Sequence, residues 1–259
     1  MGNWTKIGGG FRVIVATGVA LVVLVGVGSL GVTSAAHSSC GTYCWNVYAP
    51  FSPTGPGWSE SGSGYQWNDG PYAESNGQFI DNQQTSASNS WGDLYTYLVI
   101  QGDTIHFLTE VGVTYTFTIL VEASYSISGW CDPPWGSYGG IATLNVVAGL
   151  VGTSYSASFE PINAEQSGDC DILTHHEAPG VSPSVSPGPM NSGGWGGYVT
   201  LTVADWIPSG YYTPYVEIIG YTYADAQILA GVTSDLNMGS GGYYAQWTNL
   251  NVNWGPGEG

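Results

Sequence analysis

The densest group of side chains that could do chemistry lies between residues 165 and 177. Carboxylate oxygens suit Ca²⁺, whereas imidazole nitrogens suit Zn²⁺ or Cu²⁺. The spacing matches no established metal motif, so an acidic, solvated loop is the alternative interpretation. The candidate ligands for a divalent cation such as Ca²⁺ or Zn²⁺ are Asp169, Asp171, His175, His176 and Glu177, with Glu165 nearby. We expect no other cofactor.

Aromatic rings form a second group with chemical potential, because the sequence contains 11 tryptophans and 18 tyrosines. Exposed flat rings can stack on sugars while neighbouring Asn, Gln and Asp side chains bond the hydroxyls. The alternative is that most of these rings fill the core, where they bury large apolar areas. The candidate stacking residues lie near one another and beside Gly and Pro turns: Trp195, Trp206, Tyr211, Tyr212 and Tyr215.

Catalytic groups are harder to assign, and we assign none. The available acids and bases are carboxylates and the imidazoles of His37, His106, His175 and His176. A Ser–His–Asp arrangement is recognised by geometry, and no Gly-x-Ser-x-Gly turn is present. Paired carboxylates could hydrolyse a peptide or glycoside in acid, which makes a secreted acid hydrolase the alternative to a non-enzymatic role. His106 alternates with two apolar residues and is expected at the surface.

The charge distribution limits the classes of partner that the protein could bind. Lys6 and Arg12 are the only strong bases, and all 19 acidic residues lie after residue 36. Nucleic acid is excluded as a partner, because phosphate binding depends on Lys and Arg. Carboxylates that repel one another near neutral pH become uncharged below about pH 4. The composition therefore suggests an acidic exterior, with a neutral exterior or bound divalent cations as the alternatives.

Residues 1–36 predict an exported protein. The two basic residues precede an apolar run from Val13 to about Val27, and small residues follow at Ser34, Ala35 and Ala36. This order is typical of a secretory signal peptide cleaved after Ala36. If the apolar run continues to Val32, it is long enough for an uncleaved membrane anchor. We expect a secreted protein, associated with a membrane only through such an anchor.

Cysteine usage agrees with export. Four cysteines in an oxidising compartment favour two disulfides over a metal site. The favoured pairing is Cys40–Cys44 as a tight loop and Cys131–Cys170 as a long-range link.

The elements that would position these groups are strands. Residues 114–121 place Tyr115, Phe117, Ile119 and Val121 on one face, which indicates a strand with one buried side. Similar alternation is present at Val199, Leu201 and Val203, and again at Leu250 and Val252. Residues 94–100 and 104–110 predict a hairpin, and residues 141–148 and 154–159 predict a second one.

These patterns predict an all-β protein, an antiparallel β-sandwich or jelly roll with long Gly/Pro/Ser-rich loops and disulfide links. An aromatic, Gly-rich region at residues 37–93 is expected to pack on a sandwich at residues 94–259, which carries a loop insertion at residues 161–197. The expected role is extracellular: a structural or binding component that either assembles by strand addition or binds a saccharide.

Overall fold

Alternating polar and apolar residues fold almost the whole chain into strands. The computed structural model describes residues 35–131, 136–169 and 190–255, all within one unit that spans residues 33–259. Strands account for the regular structure in these ranges, and no described segment is a helix that could cross a lipid bilayer. The all-β prediction is confirmed.

The strands vary widely in length, and three of them exceed 20 residues. In chain order they are β1 (Ala36–Gly41), β2 (Cys44–Tyr48), β3 (Ser52–Gly62), β4 (Tyr65–Asn68), β5 (Tyr72–Ala73), β6 (Gln78–Gln101), β7 (Ile105–Phe107), β8 (Val111–Cys131), β9 (Ser137–Leu150), β10 (Ser156–Asp169), β11 (Met190–Ile207), β12 (Gly210–Tyr212), β13 (Pro214–Met238) and β14 (Tyr244–Trp254).

All pairings are antiparallel, and β6 and β13 pair along nearly their whole length. Residues 92–101 of β6 lie in a layer ordered β3–β6–β13–β9–β10. Residues 79–86 of the same strand lie in a second layer ordered β4–β6–β13–β8–β11. β14 pairs with residues 113–122 of β8 on the same edge that β13 uses at residues 124–131, and β2 and β1 follow β14. The two long strands therefore belong to both layers of a sandwich.

The bend between the layers lies where β6 and β13 lose their regular register, between Ala226 and Gly231. Asn89 (φ 49°), Ile228 (φ 41°) and Leu229 (φ 57°) adopt left-handed backbone conformations there, which are strained for a β-branched residue such as isoleucine. The backbone N–H of Leu229 donates to Oδ1 of Asn89 at 2.7 Å. We refer to residues 78–88 as the first half of β6 and to residues 91–101 as the second half.

Contacts between the halves show that their inner faces oppose each other. Thr96 Oγ1 in the second half donates to Asp81 Oδ2 in the first half at 2.5 Å. Thr85 and Thr222, from opposite layers, share a hydrogen bond of 2.8 Å between their hydroxyls. Such contacts require the chain to fold back over itself.

An aromatic cluster fills the sandwich near β14. Trp247 is fully buried, with its ring stacked on Phe51 at a centroid distance of 4.1 Å and packed against Phe117 at 5.8 Å. The predicted inward faces are confirmed for Tyr115 through Val121 and for Leu250 and Val252. Burial of these rings and aliphatic side chains supplies the main driving force for folding.

The predicted Cys40–Cys44 disulfide is present and closes the β1–β2 hairpin. Cys131 is also disulfide-bonded, but Cys170 lies outside the described residues, so the second pairing stays a prediction.

Two sequence-based expectations about the elements need correction. The hairpin predicted from residues 94–110 is wrong, because β6 pairs with β3 and β13 while β7 pairs with β12. The N–H of Gly102 instead donates to the carbonyl of Pro214 and so extends the pairing of β6 with β13 by one residue. The hairpin of β9 and β10 is confirmed.

The predicted regional boundaries also differ from the observed strands. β6 crosses the expected boundary at residue 93. Of the loop insertion expected at residues 161–197, residues 161–169 belong to β10 and residues 190–197 belong to β11, while residues 170–189 lie outside the described residues. Period-two alternation is weak in both segments since their side chains are small and polar, which hides strand character from the sequence pattern.

Candidate ligand-binding groove

The outer surface of the second layer carries a groove formed by β4, the first half of β6, β13 and β8. Residues paired across these four strands form rows whose side chains point to solvent. One row contains Tyr65, Ser86, Thr233 and Ser128, and the next contains Trp67, Gln84, Asp235 and Ser126. Each row has an aromatic ring at the β4 edge and short polar side chains across the floor.

Hydrogen bonds hold the floor in place. Gln84 Nε2 donates to Asp235 Oδ1 at 2.5 Å, and Ser126 Oγ donates to Asp235 Oδ2 at 2.9 Å. Ser86 Oγ and Thr233 Oγ1 lie 3.0 Å apart in the neighbouring row. All five side chains are half-buried, so they are fixed by neighbours while keeping further donor or acceptor capacity for a ligand.

Two adjoining cavities lie along this surface. The larger, about 460 Å³, is lined by Tyr65, Trp130 and the hydroxyl-bearing row with Ser86. The smaller, about 340 Å³, is lined by Trp67, Asn82, Asn237 and the row with Asp235. Their linings occupy successive rows of the same four strands, and we call them the Trp130 cavity and the Trp67 cavity.

The rings beside the groove are accessible. Trp67 is 44% exposed, and Tyr65 on the same strand is also exposed. At the opposite side the Trp130 ring lies over Gly231, whose missing side chain leaves the space that the ring occupies. Exposed rings flanking a polar floor are suited to stacking on the apolar faces of a ligand whose edges carry hydroxyls.

The described residues that line the groove carry no positive charge. Asp235 is the only ionisable carboxylate among the described residues that line the two cavities, and both of its oxygens already accept hydrogen bonds. An anionic ligand would meet this carboxylate without any compensating cation, so the electrostatics favour a neutral one.

A buried polar layer lies directly beneath the groove. Asp81, 1% exposed, accepts the Thr96 hydrogen bond on one oxygen, and its other oxygen has no partner among the described residues. Burial raises the pKa of Asp81 to about 6, and the negative charge of Asp69 adds a smaller increase. The hydrogen bond from Thr96 acts in the opposite direction and lowers this pKa. The amide of Gln83 is likewise buried and unpaired within the described part of the chain. The first half of β6 is therefore polar on both faces.

The outer face of the first layer has a different character, because tyrosines cover it. Burial raises the pKa of Tyr221 to about 12 and raises the pKa of Tyr95 and Tyr223. Glu217 is buried on this face, and burial raises its pKa as well. On this face the tyrosine rings fill the space between neighbouring rows. On the face with the groove, the short side chains leave the corresponding space open.

The predicted stacking residues differ in exposure. Trp206 is 66% exposed and Tyr211 is 73% exposed, whereas Tyr212 is buried. The ring of Tyr211 stacks on that of His106 at a centroid distance of 4.1 Å. His106 lies at the surface, as expected. Trp195 packs against Phe159, and Tyr215 is half-buried on β13.

The predicted metal ligands lie at the edge of the described residues or beyond it. Asp169 ends β10, and Asp171, His175, His176 and Glu177 lie outside the described ranges. Within those ranges no group of three or more His, Cys, Asp or Glu side chains is arranged to hold a metal ion.

The sequence reasoning missed the groove residues Tyr65, Trp67 and Trp130. A usable signal was present on β8, where serines recur at every second position from Ser124 to Ser128 and Trp130 continues the series. This period places them on one face of a strand. What the sequence alone does not reveal is that β4, β6 and β13 add matching rows beside them.

No protein-family model and no curated protein sequence matches this chain. The geometry of the groove therefore carries the functional argument.

Proposed function

We propose that this chain is an exported binding protein that holds a neutral saccharide in the groove at an acidic exterior. The carrying observation is the combination of exposed rings at Tyr65, Trp67 and Trp130 with a cation-free floor of hydroxyl, amide and carboxylate groups. Sugars present apolar ring faces and hydroxyl edges, and this surface offers partners for both.

A binding role fits the described carboxylates better than hydrolysis does. Burial raises the pKa of Asp81 to about 6, yet this side chain lies buried between the layers, where no substrate reaches it. Asp235 lies in the groove, but its two oxygens are engaged by Gln84 and Ser126. Acid–base catalysis by paired carboxylates would need a second carboxylate beside Asp235, and the described residues that line the groove supply none.

The acidic setting is supported by the charge of the chain and by the buried layer. A formal net charge of −17 at neutral pH favours expansion by self-repulsion. Protonation in acid relieves this repulsion and also keeps Asp81 uncharged beneath the groove.

The test is affinity electrophoresis or calorimetry at about pH 4 with neutral glucans, mannans and galactans, alongside acidic polysaccharides as the comparison. Wild-type protein is expected to bind at least one neutral polymer. Trp67→Ala removes one stacking ring, which is worth roughly 1 kcal/mol or about fivefold in affinity.

The matched control is Trp58→Ala. Trp58 is 54% exposed and lies on β3, which pairs with the second half of β6 just as β4 pairs with the first half. We expect this variant to bind like the wild type. Absence of binding to every neutral polymer, or equal losses in both variants, would refute the proposal.

A further inference from the structure

The two cavities belong to one continuous surface. The row with Ser86, Thr233 and Ser128 lines the Trp130 cavity, and the next row along the same strands, with Asp235 and Ser126, lines the Trp67 cavity. The residues that line one cavity are therefore direct neighbours of those that line the other. A ligand lying along the strands would touch both cavities.

The surface is longer than a single sugar. From Gly231, opposite Trp130, to Asn237 the groove follows seven residues of β13, whose ends lie about 20 Å apart at a rise of ~3.4 Å per residue. Several linked sugar units fit along this length, whereas a monosaccharide would occupy one cavity and leave the other empty.

Both ends of the groove lead to solvent. Ser88 is exposed at the Trp130 end, and Ser240 is exposed at the Asn237 end. A site that recognises the end of a chain needs a wall against its terminal unit, whereas the described residues at both ends of this groove include an exposed serine.

The rings are spaced for repeated stacking. Tyr65 and Trp67 are two residues apart on β4, so both point outwards, about 7 Å apart along the strand. Trp130 adds a third ring at the far side of the Trp130 cavity. Rings repeated along an open groove match a ligand that repeats in the same direction.

We propose that the groove binds an internal segment of a linear, uncharged polysaccharide that runs parallel to the strands and spans both cavities. This inference rests on the proposed saccharide function and specifies the form of the ligand. The floor supplies hydrogen-bond partners along the chain, and the rings contact successive sugars.

The test uses oligosaccharides of increasing length, cut from whichever neutral polymer the wild-type protein binds. Calorimetric affinity is expected to rise at least tenfold from the disaccharide to the hexasaccharide and then to level off. Chemical reduction of the chain end should leave the affinity for the long oligosaccharide unchanged. Equal affinity for short and long ligands, or loss of binding after reduction, would overturn the inference while leaving saccharide binding intact.

Variants in the two cavities provide a second readout. Trp67→Ala and Trp130→Ala should each weaken binding of the hexasaccharide and flatten the dependence on length, because each removes one of the linked contacts. If only one of the two variants affects the hexasaccharide, the ligand occupies a single cavity and the inference fails. Failure of every neutral polymer to bind would instead overturn the proposed function itself.

Discussion

The two halves of β6 have the same backbone partner but opposite side-chain character. Between Asp81 and Ser86 the first half is polar on both faces, with Gln84 bonded to Asp235 on the outer face and Asp81 buried on the inner face. The second half buries Leu98 and Ile100 on its inner face and carries Tyr95 outside. Both halves pair with β13 throughout, so the strand pairing does not account for the difference.

The comparison shows how one strand can serve two purposes. Burial of aliphatic side chains in the second half stabilises the sandwich whatever the pH. The first half gives up such burial for polar groups that shape a groove, and its stability depends on the protonation of Asp81. The following substitutions test this division, beginning with the largest expected effect.

Leu98→Ala should be the most damaging change, because the side chain is almost completely buried. Truncation of a buried leucine costs about 2–5 kcal/mol through lost burial and the cavity that remains. Chemical denaturation should show a loss of this size at both acidic and neutral pH. A loss present at only one pH would mean that the second half is not the pH-independent part of the fold.

Asp81 should make the protein less stable as the pH rises. Its pKa of about 6 in the folded protein lies above its ordinary value of 3.8, so the folded state holds the proton more tightly than the unfolded state. Stability from this group is full below about pH 4, falls between about pH 4 and 6, and then levels off, with a total loss of roughly 3 kcal/mol. Denaturation across pH 3–8 in low salt measures it.

Asp81→Asn is the variant that isolates this contribution. The neutral amide removes the titration, so the decline between about pH 4 and 6 should become shallower by roughly the same amount. Unchanged pH dependence in the variant would show that other carboxylates, among them the buried Glu217, and not Asp81, set the response.

Gly220→Ala should cost less, about 1–3 kcal/mol, because it overfills the space between the layers. An added Cβ would lie 2.6 Å from Asp81 Oδ2 and 2.7 Å from Gln83 Nε2. Gly139→Ala on β9 is the matched control, since its Cβ would meet no atom within 4 Å. The midpoint temperature of thermal unfolding should be clearly lower for Gly220→Ala than for Gly139→Ala. Equal midpoint temperatures would contradict the close packing around Asp81.

Sequence patterns predict individual strands well where one face is buried. Phe117 and Ile119 alternate with threonines because β8 has the core on one side and a polar surface on the other. The hairpin predicted after Ile100 is wrong because Gly102 and Asp103 are residue types that favour a tight turn, whereas β13, which pairs with β6 up to Gln101, is more than 100 residues away in the sequence.

The groove was not predictable in the same way. Its floor combines residues from β4, β6, β8 and β13, and the strained bend near Ile228 decides which rows come together. Trp67 and Trp130 lie far apart in the sequence. They reach the same surface only because β6 and β13 lie between the strands that carry them. A single sequence shows the polar alternation on each strand but not the order of the strands.

The most direct test of the account is to map the bound ligand on the two halves of β6 by NMR. At about pH 4, addition of a neutral oligosaccharide that binds the protein should shift the backbone amide resonances of residues 82–88 and 231–237. Resonances of residues 94–101 and 215–223 should remain in place. Shifts confined to the tyrosine-covered face of the first layer would contradict the account.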